Sequence, residues 1–305
     1  MKTQIKQAVR GTVHGLLYTK ERRLLHAHRE LHTPPVFILG APRSGTSLFY
    51  ELLVTRYAFS YFSNLAHRFY KTPAAATFFG RSLIGRYKAS YSSDYGHIAG
   101  WSAPNEGGWI WQRWLEDGDW MDETALPGSF LTEMRATLAA HEAILQAPFV
   151  NKNVMHSNRI RLLDALFPGC LFIEVRRDMA DTARSIIRAQ RRNKGPQVDA
   201  DAWWSVRPSN TRAGDVITRA ALQVNGVAED IARDVAVIGA HRHCSVIYEA
   251  FCTNTEDTLQ QVASFLAGQG VHVRKKNEVP VQFNLHPSNP LEGAEEAQLR
   301  QALGM

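Results

Sequence analysis

Cysteine, long apolar runs and secretory features are all scarce in this chain. Its 305 residues include three cysteines, an odd number that lacks the spacing of a zinc site or a disulfide framework. No run approaches the roughly 18 to 20 apolar residues that span a bilayer, and the N-terminus lacks the apolar core of a signal peptide. These absences predict a cytoplasmic protein with reduced thiols and without a structural metal.

The charge balance favours a small anionic ligand over nucleic acid. The net charge is +6, from 35 Lys and Arg against 29 Asp and Glu, and the basic residues are dispersed along the sequence. Such a balance attracts anions. The two short basic patches, 188–194 and 274–276, lack the interleaved aromatic residues on which single-stranded nucleic acid stacks. A nucleic-acid partner is therefore not expected.

The segment 36–49, VFILGAPRSGTSLF, is typical of a buried strand, a tight turn and a helix start. Gly40 and Gly45 have the spacing of a nucleotide-binding loop, but Thr46 stands where the lysine for a triphosphate belongs, and a cation comes earlier as Arg43. Backbone N–H groups and the helix N-terminus still favour an anion. Further hydroxyl donors come from Ser44, Thr46 and Ser47. The loop thus suits a single phosphate better than ATP or GTP.

The run Gly-x-Pro-Arg-Ser-Gly-Thr-Ser resembles the 5′-phosphosulfate loop of sulfotransferases that use 3′-phosphoadenosine-5′-phosphosulfate as donor. This resemblance implies an α/β, single-domain P-loop-type fold, with a mostly parallel central sheet flanked by helices. It also implies that this donor is the co-substrate, with no metal, and that its 5′ end is bound by Arg43, Ser44, Gly45, Thr46 and Ser47.

A second motif follows at 170–178, where an apolar, β-prone run ends in Arg176-Arg177-Asp178 and a helix is predicted next. Arg177 and Ser185, eight residues later, resemble the family's pair that binds the 3′-phosphate of the donor. Arg177 is favoured over Arg176 because the family pattern is Arg-Asp.

Between these motifs, Lys152 follows a predicted strand and resembles the family's catalytic lysine. In that resemblance it reaches the bridging oxygen, where negative charge grows as the S–O bond breaks. His156 comes four residues later, whereas small-molecule members place a basic histidine two residues after the lysine. A structural or substrate-binding role is therefore favoured for His156.

The other candidate base is Glu106, in a Gly- and Pro-marked loop that leads into an aromatic run at 109–111. It resembles the acidic residue of protein-tyrosine and some bacterial carbohydrate sulfotransferases, and a carboxylate can accept a hydroxyl proton. From the sequence alone the base stays open between Glu106 and His156. The nearby Trp residues, with Tyr87, Tyr91 and Tyr95, indicate an aromatic cleft for the acceptor.

Strands and helices alternate from Pro34 onward, which predicts a mostly parallel sheet with ligands at the carboxyl ends of its strands. We divide the chain into a basic amphipathic helical extension (1–33), a sulfotransferase-like α/β domain (34–290) and a C-terminal tail (291–305). The extension is expected to contact the domain, a second subunit of a homodimer or a membrane surface.

The resemblance therefore implies transfer of a sulfonate from 3′-phosphoadenosine-5′-phosphosulfate to a hydroxyl of a carbohydrate, lipid or small-molecule acceptor. Two alternatives stay open: a P-loop kinase with an aberrant loop, and a catalytically silent nucleotide-binding or scaffold protein of the same fold. Thr46 and the pair Arg177 and Ser185 argue against the kinase.

Overall fold

A computed structural model describes six stretches of the chain, residues 2–94, 96–115, 127–194, 203–209, 214–285 and 287–305. Its centre is a four-stranded parallel sheet in the order β4-β1-β5-β6. The strands of this sheet are β1 (Val36–Leu39), β4 (Val150–Lys152), β5 (Leu171–Arg176) and β6 (His243–Ile247). A separate antiparallel hairpin consists of β2 (Ser93–Asp94) and β3 (His97–Ile98).

Twelve α-helices lie in the described stretches. The first six are α1 (Lys2–Ala27), α2 (Thr46–Arg56), α3 (Asn64–Arg68), α4 (Pro73–Ile84), α5 (Gly108–Trp111) and α6 (Gly128–Leu145). The other six are α7 (Ile160–Leu166), α8 (Met179–Lys194), α9 (Val216–Ile238), α10 (Tyr248–Thr253), α11 (Thr255–Gly268) and α12 (Ala294–Leu303). None of these helices combines the length and apolar character needed to cross a bilayer.

Both faces of the central sheet are covered, as the apolar composition of its strands requires. Along β1 the side chains alternate: Phe37 packs into a core with Trp111, while Ile38 packs into a second core with Phe49. A third cluster joins α8, α9 and α12. The helices therefore hold the strands from both sides and leave the carboxyl edge of the sheet for a site.

Two terminal regions pack against the rest of the chain. The C-terminal half of α1 buries Leu24 in a small cluster with α4 and α6. The segment expected as a C-terminal tail contains α12, whose Leu299 is buried and whose Glu296 pairs with Arg184 of α8. The run 245–249, SVIYE, predicts a strand from its β-prone residues, but β6 ends at Ile247 and Tyr248 begins α10.

Candidate functional site

The predicted phosphate loop, residues 40–47, lies between β1 and the first turn of α2, at the carboxyl edge of the sheet. Gly40 and Gly45 have φ angles of 145° and 91°, and a Cβ at Gly45 would lie 2.2 Å from the Tyr248 ring, so this position needs glycine. Arg43 also has a positive φ, 70°, an uncommon backbone conformation for a non-glycine residue. The first turn of α2 has no side-chain cap, so a helix N-terminus, which favours an anion, follows directly on the loop.

Lys152 and Glu106 meet at the end of this loop. The Lys152 ammonium, at the carboxyl end of β4, donates hydrogen bonds to the Glu106 carboxylate and to the Ser47 hydroxyl, the latter at 3.1 Å. The Lys152 side chain is 4% exposed and that of Glu106 is 31% exposed. A hydroxyl of the phosphate loop, a cation and a carboxylate therefore form one connected group.

The turn of the β2–β3 hairpin covers this group. A Cβ at Gly96, whose φ is 92°, would lie 2.8 Å from Glu106 Oε1 and 3.7 Å from Lys152 Nζ. The backbone can approach so closely only because the residue is glycine. The hairpin thus forms one wall of the site.

Arg177 directly follows β5, whose last residue is Arg176. Its guanidinium donates to the Arg43 carbonyl oxygen at 3.3 Å, lies 3.5 Å from an Asp181 carboxylate oxygen, and stacks 4.8 Å from the centre of the Tyr248 ring. The side chain is 11% exposed. These contacts hold a cation within reach of the phosphate loop.

The loop, the ion pair and Arg177 surround one cavity of about 630 Å³, which we call the first cavity. The predicted site residues that line it are Arg43, Gly45, Thr46, Ser47, Glu106, Lys152 and Arg177. It therefore presents three cations and one carboxylate. Such a surface favours a multiply charged anion of nucleotide size.

Ser44 and Ser185 do not line the first cavity. The Ser44 hydroxyl is buried, lacks a hydrogen-bond partner among the described residues, and borders a second cavity of about 380 Å³. The Ser185 hydroxyl accepts a hydrogen bond from Arg43 Nε at 3.1 Å. Ser185 thus reaches the first cavity only through the arginine that it positions.

His156 is also separate from this group. It is fully buried in a 3₁₀ turn after β4, between the rings of Phe37 and Trp111, and its Nε2 lies 3.1 Å from Asn151 Oδ1. Burial lowers its pKa well below 6.5, and the charge of Arg159 acts in the same direction. His156 is therefore a neutral part of the core.

Several residues of the first cavity were absent from the predicted catalytic and donor-binding residues: Tyr91, Ser92, Gly96, Val154, Trp204, Ser205 and Tyr248. The sequence did carry a signal for Tyr248, because the β-prone run 245–249 closes in Tyr-Glu, which resembles the end of a strand in the sulfotransferase family. Tyr91 was predicted as part of the aromatic cleft for the acceptor. Gly96 and Ser205 lie in irregular segments, where neither periodicity nor the family motifs gave a signal.

The tryptophans divide between core and surface. Trp111 and Trp114 are buried, whereas Trp101 and Trp109 are 61% and 51% exposed. The exposed pair lines a separate open cleft of about 430 Å³, where the His67 ring stacks on Trp109 at 4.6 Å. The remaining lining residues are Asn64, Arg68, His97, Gly100 and Asn105. Trp120 and Tyr95 of the predicted aromatic cleft lie outside the described residues, and Tyr87 is buried against Glu51.

Comparisons with known proteins agree with this architecture. A model of the sulfotransferase family matches residues 34–269. Sulfotransferase STF9 from Mycobacterium avium superposes with a TM-score of 0.54 at 17% identity, over 96% of this chain and 72% of that one. Sulfotransferase STF1 from Mycobacterium tuberculosis H37Rv gives a TM-score of 0.52 at 15% identity, over 83% of this chain and 70% of that one.

At these identities the superpositions support the fold alone, and a search of curated protein sequences finds no significant match. The predicted α/β fold with a parallel central sheet is confirmed. The family match covers most of the chain and includes the phosphate loop, Glu106, Lys152 and Arg177. The chain therefore belongs to the sulfotransferase family.

Proposed function

We propose that this protein transfers a sulfonate group from 3′-phosphoadenosine-5′-phosphosulfate to an acceptor hydroxyl. The observation that carries the proposal is the connected group of Ser47, Lys152 and Glu106 at the end of the phosphate loop. It combines an anion-binding loop, a cation and a proton acceptor within one cavity. These are the components that a direct transfer to a hydroxyl requires.

The first cavity fits this donor in charge and size. Residues 43–47 and the start of α2 would hold its 5′-phosphosulfate, and Arg177 would hold its 3′-phosphate. Ser185 would act through Arg43, to which it is hydrogen-bonded. Ser44 would serve the loop's own geometry, because its hydroxyl lies outside the first cavity.

When bound, the donor supplies a sulfonate whose S–O bond to the phosphate breaks as the acceptor oxygen bonds to sulfur. Glu106 accepts the proton of the acceptor hydroxyl. Lys152 donates a hydrogen bond to the oxygen that leaves with the phosphate, where negative charge accumulates. The contact between Lys152 and Glu106 holds the cation and the proton acceptor close together before the reaction.

The acceptor would approach from the side of Glu106. The aromatic cleft lies on this side, because it includes Asn105 and His97, which are adjacent in sequence to Glu106 and Gly96 of the first cavity. Its exposed Trp101 and half-exposed Trp109 offer flat apolar surfaces to the part of a carbohydrate, lipid or small-molecule acceptor that does not react.

The kinase alternative is disfavoured by the same geometry. The lysine of the site, Lys152, comes from the neighbouring strand β4, and its ammonium already donates hydrogen bonds to Glu106 and Ser47. A Walker lysine would instead lie within the loop and serve the β- and γ-phosphates. A catalytically silent scaffold would bind the same nucleotide but would not transfer a group from it. Turnover measured with a panel of acceptors therefore distinguishes this alternative from the proposal.

Thermal-shift titration tests the donor. 3′,5′-Adenosine bisphosphate should raise the melting temperature, because a ligand that binds only the folded state stabilises it. ATP with magnesium should raise it much less. Equal or greater stabilisation by magnesium-ATP would favour the kinase instead. Turnover is then measured with the sulfonate donor and a panel of glycosides, phenols and long-chain alcohols, and a bound donor without any transfer would indicate the scaffold.

A further inference from the structure

Helices α1 and α4 expose apolar side chains at the surface where they pack together. Leu16 of α1 is 67% exposed, and Phe79 and Leu83 of α4 are 62% and 52% exposed. Large apolar residues exposed together on contacting elements mark a contact surface more often than isolated ones do. These three take no part in the cavities described above.

Ring contacts join these residues to two cations. The Lys20 ammonium lies 3.6 Å from the centre of the Phe78 ring and the Arg81 guanidinium 4.4 Å from it. The Phe79 ring lies 5.3 Å from that of Phe78. Leu16 is one helical turn before Lys20, and Leu83 is one turn after Phe79, so both lie beside this group. We call Leu16, Lys20, Phe79, Arg81 and Leu83 the α1–α4 surface.

This surface has no exposed carboxylate of its own. The sequence from 52 to 93, which includes α4, contains no Asp or Glu. The one acid of α1 is Glu21, which is 3% exposed and accepts hydrogen bonds from the N–H groups of Ala74 and Ala75. Arg86 and Lys88, just after α4, are both exposed. The α1–α4 surface therefore combines exposed apolar side chains with charged side chains that are all basic.

Exposed apolar side chains beside cations favour one kind of binding partner for the α1–α4 surface. A symmetric contact with a second copy would bring Lys20 and Arg81 against the same cations. A nucleic acid would pair with the cations but would leave Phe79 and Leu83 facing its charged backbone. An anionic bilayer accommodates both, because the apolar side chains enter the headgroup boundary while Lys and Arg meet the lipid phosphates. We propose that the α1–α4 surface docks the protein on an anionic lipid surface.

Flotation of the full chain with vesicles tests the proposal. Vesicles of phosphatidylcholine mixed with phosphatidylglycerol should bind the protein, and added salt should weaken binding. Vesicles of phosphatidylcholine alone should bind it far less. Absence of binding to the anionic vesicles, or equal binding to both kinds, would overturn the proposal.

Two pairs of variants separate the apolar and charged contributions. Phe79→Ser with Leu83→Ser should lower the partition coefficient about tenfold or more, because two apolar side chains no longer enter the membrane. Val237→Ser on α9, which alters another exposed apolar residue, should leave it unchanged. Lys20→Glu should lower it about five- to tenfold, whereas Lys275→Glu should not.

Folding and self-association are measured on the same samples. Each variant should keep the wild-type melting temperature and its shift with 3′,5′-adenosine bisphosphate, which separates lost docking from lost folding. Sedimentation without vesicles should give the same molecular mass for the wild type and the Phe79→Ser, Leu83→Ser variant. If the wild type is an oligomer and this variant is a monomer, the surface binds a second copy of the chain, and the proposal is overturned.

Discussion

Two cavities meet at the carboxyl edge of the sheet, and they share Arg177. The first has the cations Arg43, Lys152 and Arg177 against the single carboxylate Glu106. The second has Arg176 and Arg177 against three carboxylates, Glu174, Asp178 and Glu249. The charges of the first cavity therefore favour an anionic ligand, whereas those of the second disfavour one.

The difference shows that position at the edge of a sheet is not enough to define a site. Both cavities follow the rule that ligands bind at the carboxyl ends of parallel strands. What distinguishes the first is that a loop hydroxyl, a cation and a carboxylate are hydrogen-bonded to one another there, in the group of Ser47, Lys152 and Glu106. Because the second cavity supplies residues of the same types, it provides matched controls for variants of the first.

The largest effect is expected from Glu106→Gln. The change preserves the shape of the side chain and removes the proton acceptor, so the single-turnover rate should fall by about 10²- to 10⁴-fold with donor affinity little changed. Glu249→Gln, in the second cavity, should leave the rate near that of wild type. Equal rates for the two variants would show that Glu106 is not the base.

Lys152→Met should lower the same rate by about 10²- to 10³-fold, because the leaving oxygen loses its cation. Lys152 and Glu106 are in direct contact, so their effects should not add. The double variant Glu106→Gln, Lys152→Met should therefore be less impaired than the product of the two single effects. Full additivity would mean that the two residues act independently.

Arg177→Ala should weaken binding of 3′,5′-adenosine bisphosphate by about ten- to a hundredfold. This is the loss in affinity expected when one charge-assisted phosphate contact, worth roughly 1.5 to 3 kcal/mol, is removed. Arg176→Ala is the control, since Arg176 lines only the second cavity. Calorimetry with adenosine 5′-phosphate, which lacks the 3′ group, supplies the second control. If Arg177→Ala weakens both ligands equally, Arg177 does not bind the 3′-phosphate.

The smallest effect on turnover is expected from His156→Asn, because His156 lies in the core and outside both cavities. Its loss should instead lower the free energy of unfolding by about 1 to 3 kcal/mol, through lost packing against Phe37 and Trp111. Denaturant unfolding and single-turnover rates are measured together. A rate that collapses at unchanged stability would make His156 the base.

The pH dependence of stability gives an independent reading of His156. The unfolded chain binds a proton near the ordinary histidine pKa of about 6.5, whereas burial holds the folded pKa well below that value. The unfolded state therefore takes up more protons, and stability falls as the pH decreases below about 6.5. His156→Asn should reduce this loss between pH 7 and pH 5, and an unchanged slope would contradict the assignment.

Local patterns were sufficient to predict the frame of the molecule. The apolar strands, the glycine-bearing turn after β1 and the alternation of strands with helices predicted the parallel sheet and the place of its phosphate loop. Signals for α12 were present but not used, since the chain there is rich in helix-forming Ala, Glu, Gln and Leu and carries acids in the first turn. Pro73 likewise marks the start of α4.

The details of the site depend on contacts that no local pattern records. Glu106 meets Lys152 only because the loop before α5 and the end of β4 come together in the fold. The sequence left the base open between Glu106 and His156, and the 3₁₀ turn after β4 carries the histidine into the core. Trp204 and Gly96 line the first cavity from loops whose course depends on the packing of distant elements.

A crystal structure with 3′,5′-adenosine bisphosphate tests the central claim most directly. The account predicts the nucleotide in the first cavity, with its 5′-phosphate on the N–H groups at residues 45–47 and its 3′-phosphate within hydrogen-bond distance of Arg177. Lys152 should then face the 5′-phosphate. Nucleotide bound in the second cavity, or a 5′-phosphate remote from the loop and Lys152, would contradict the account.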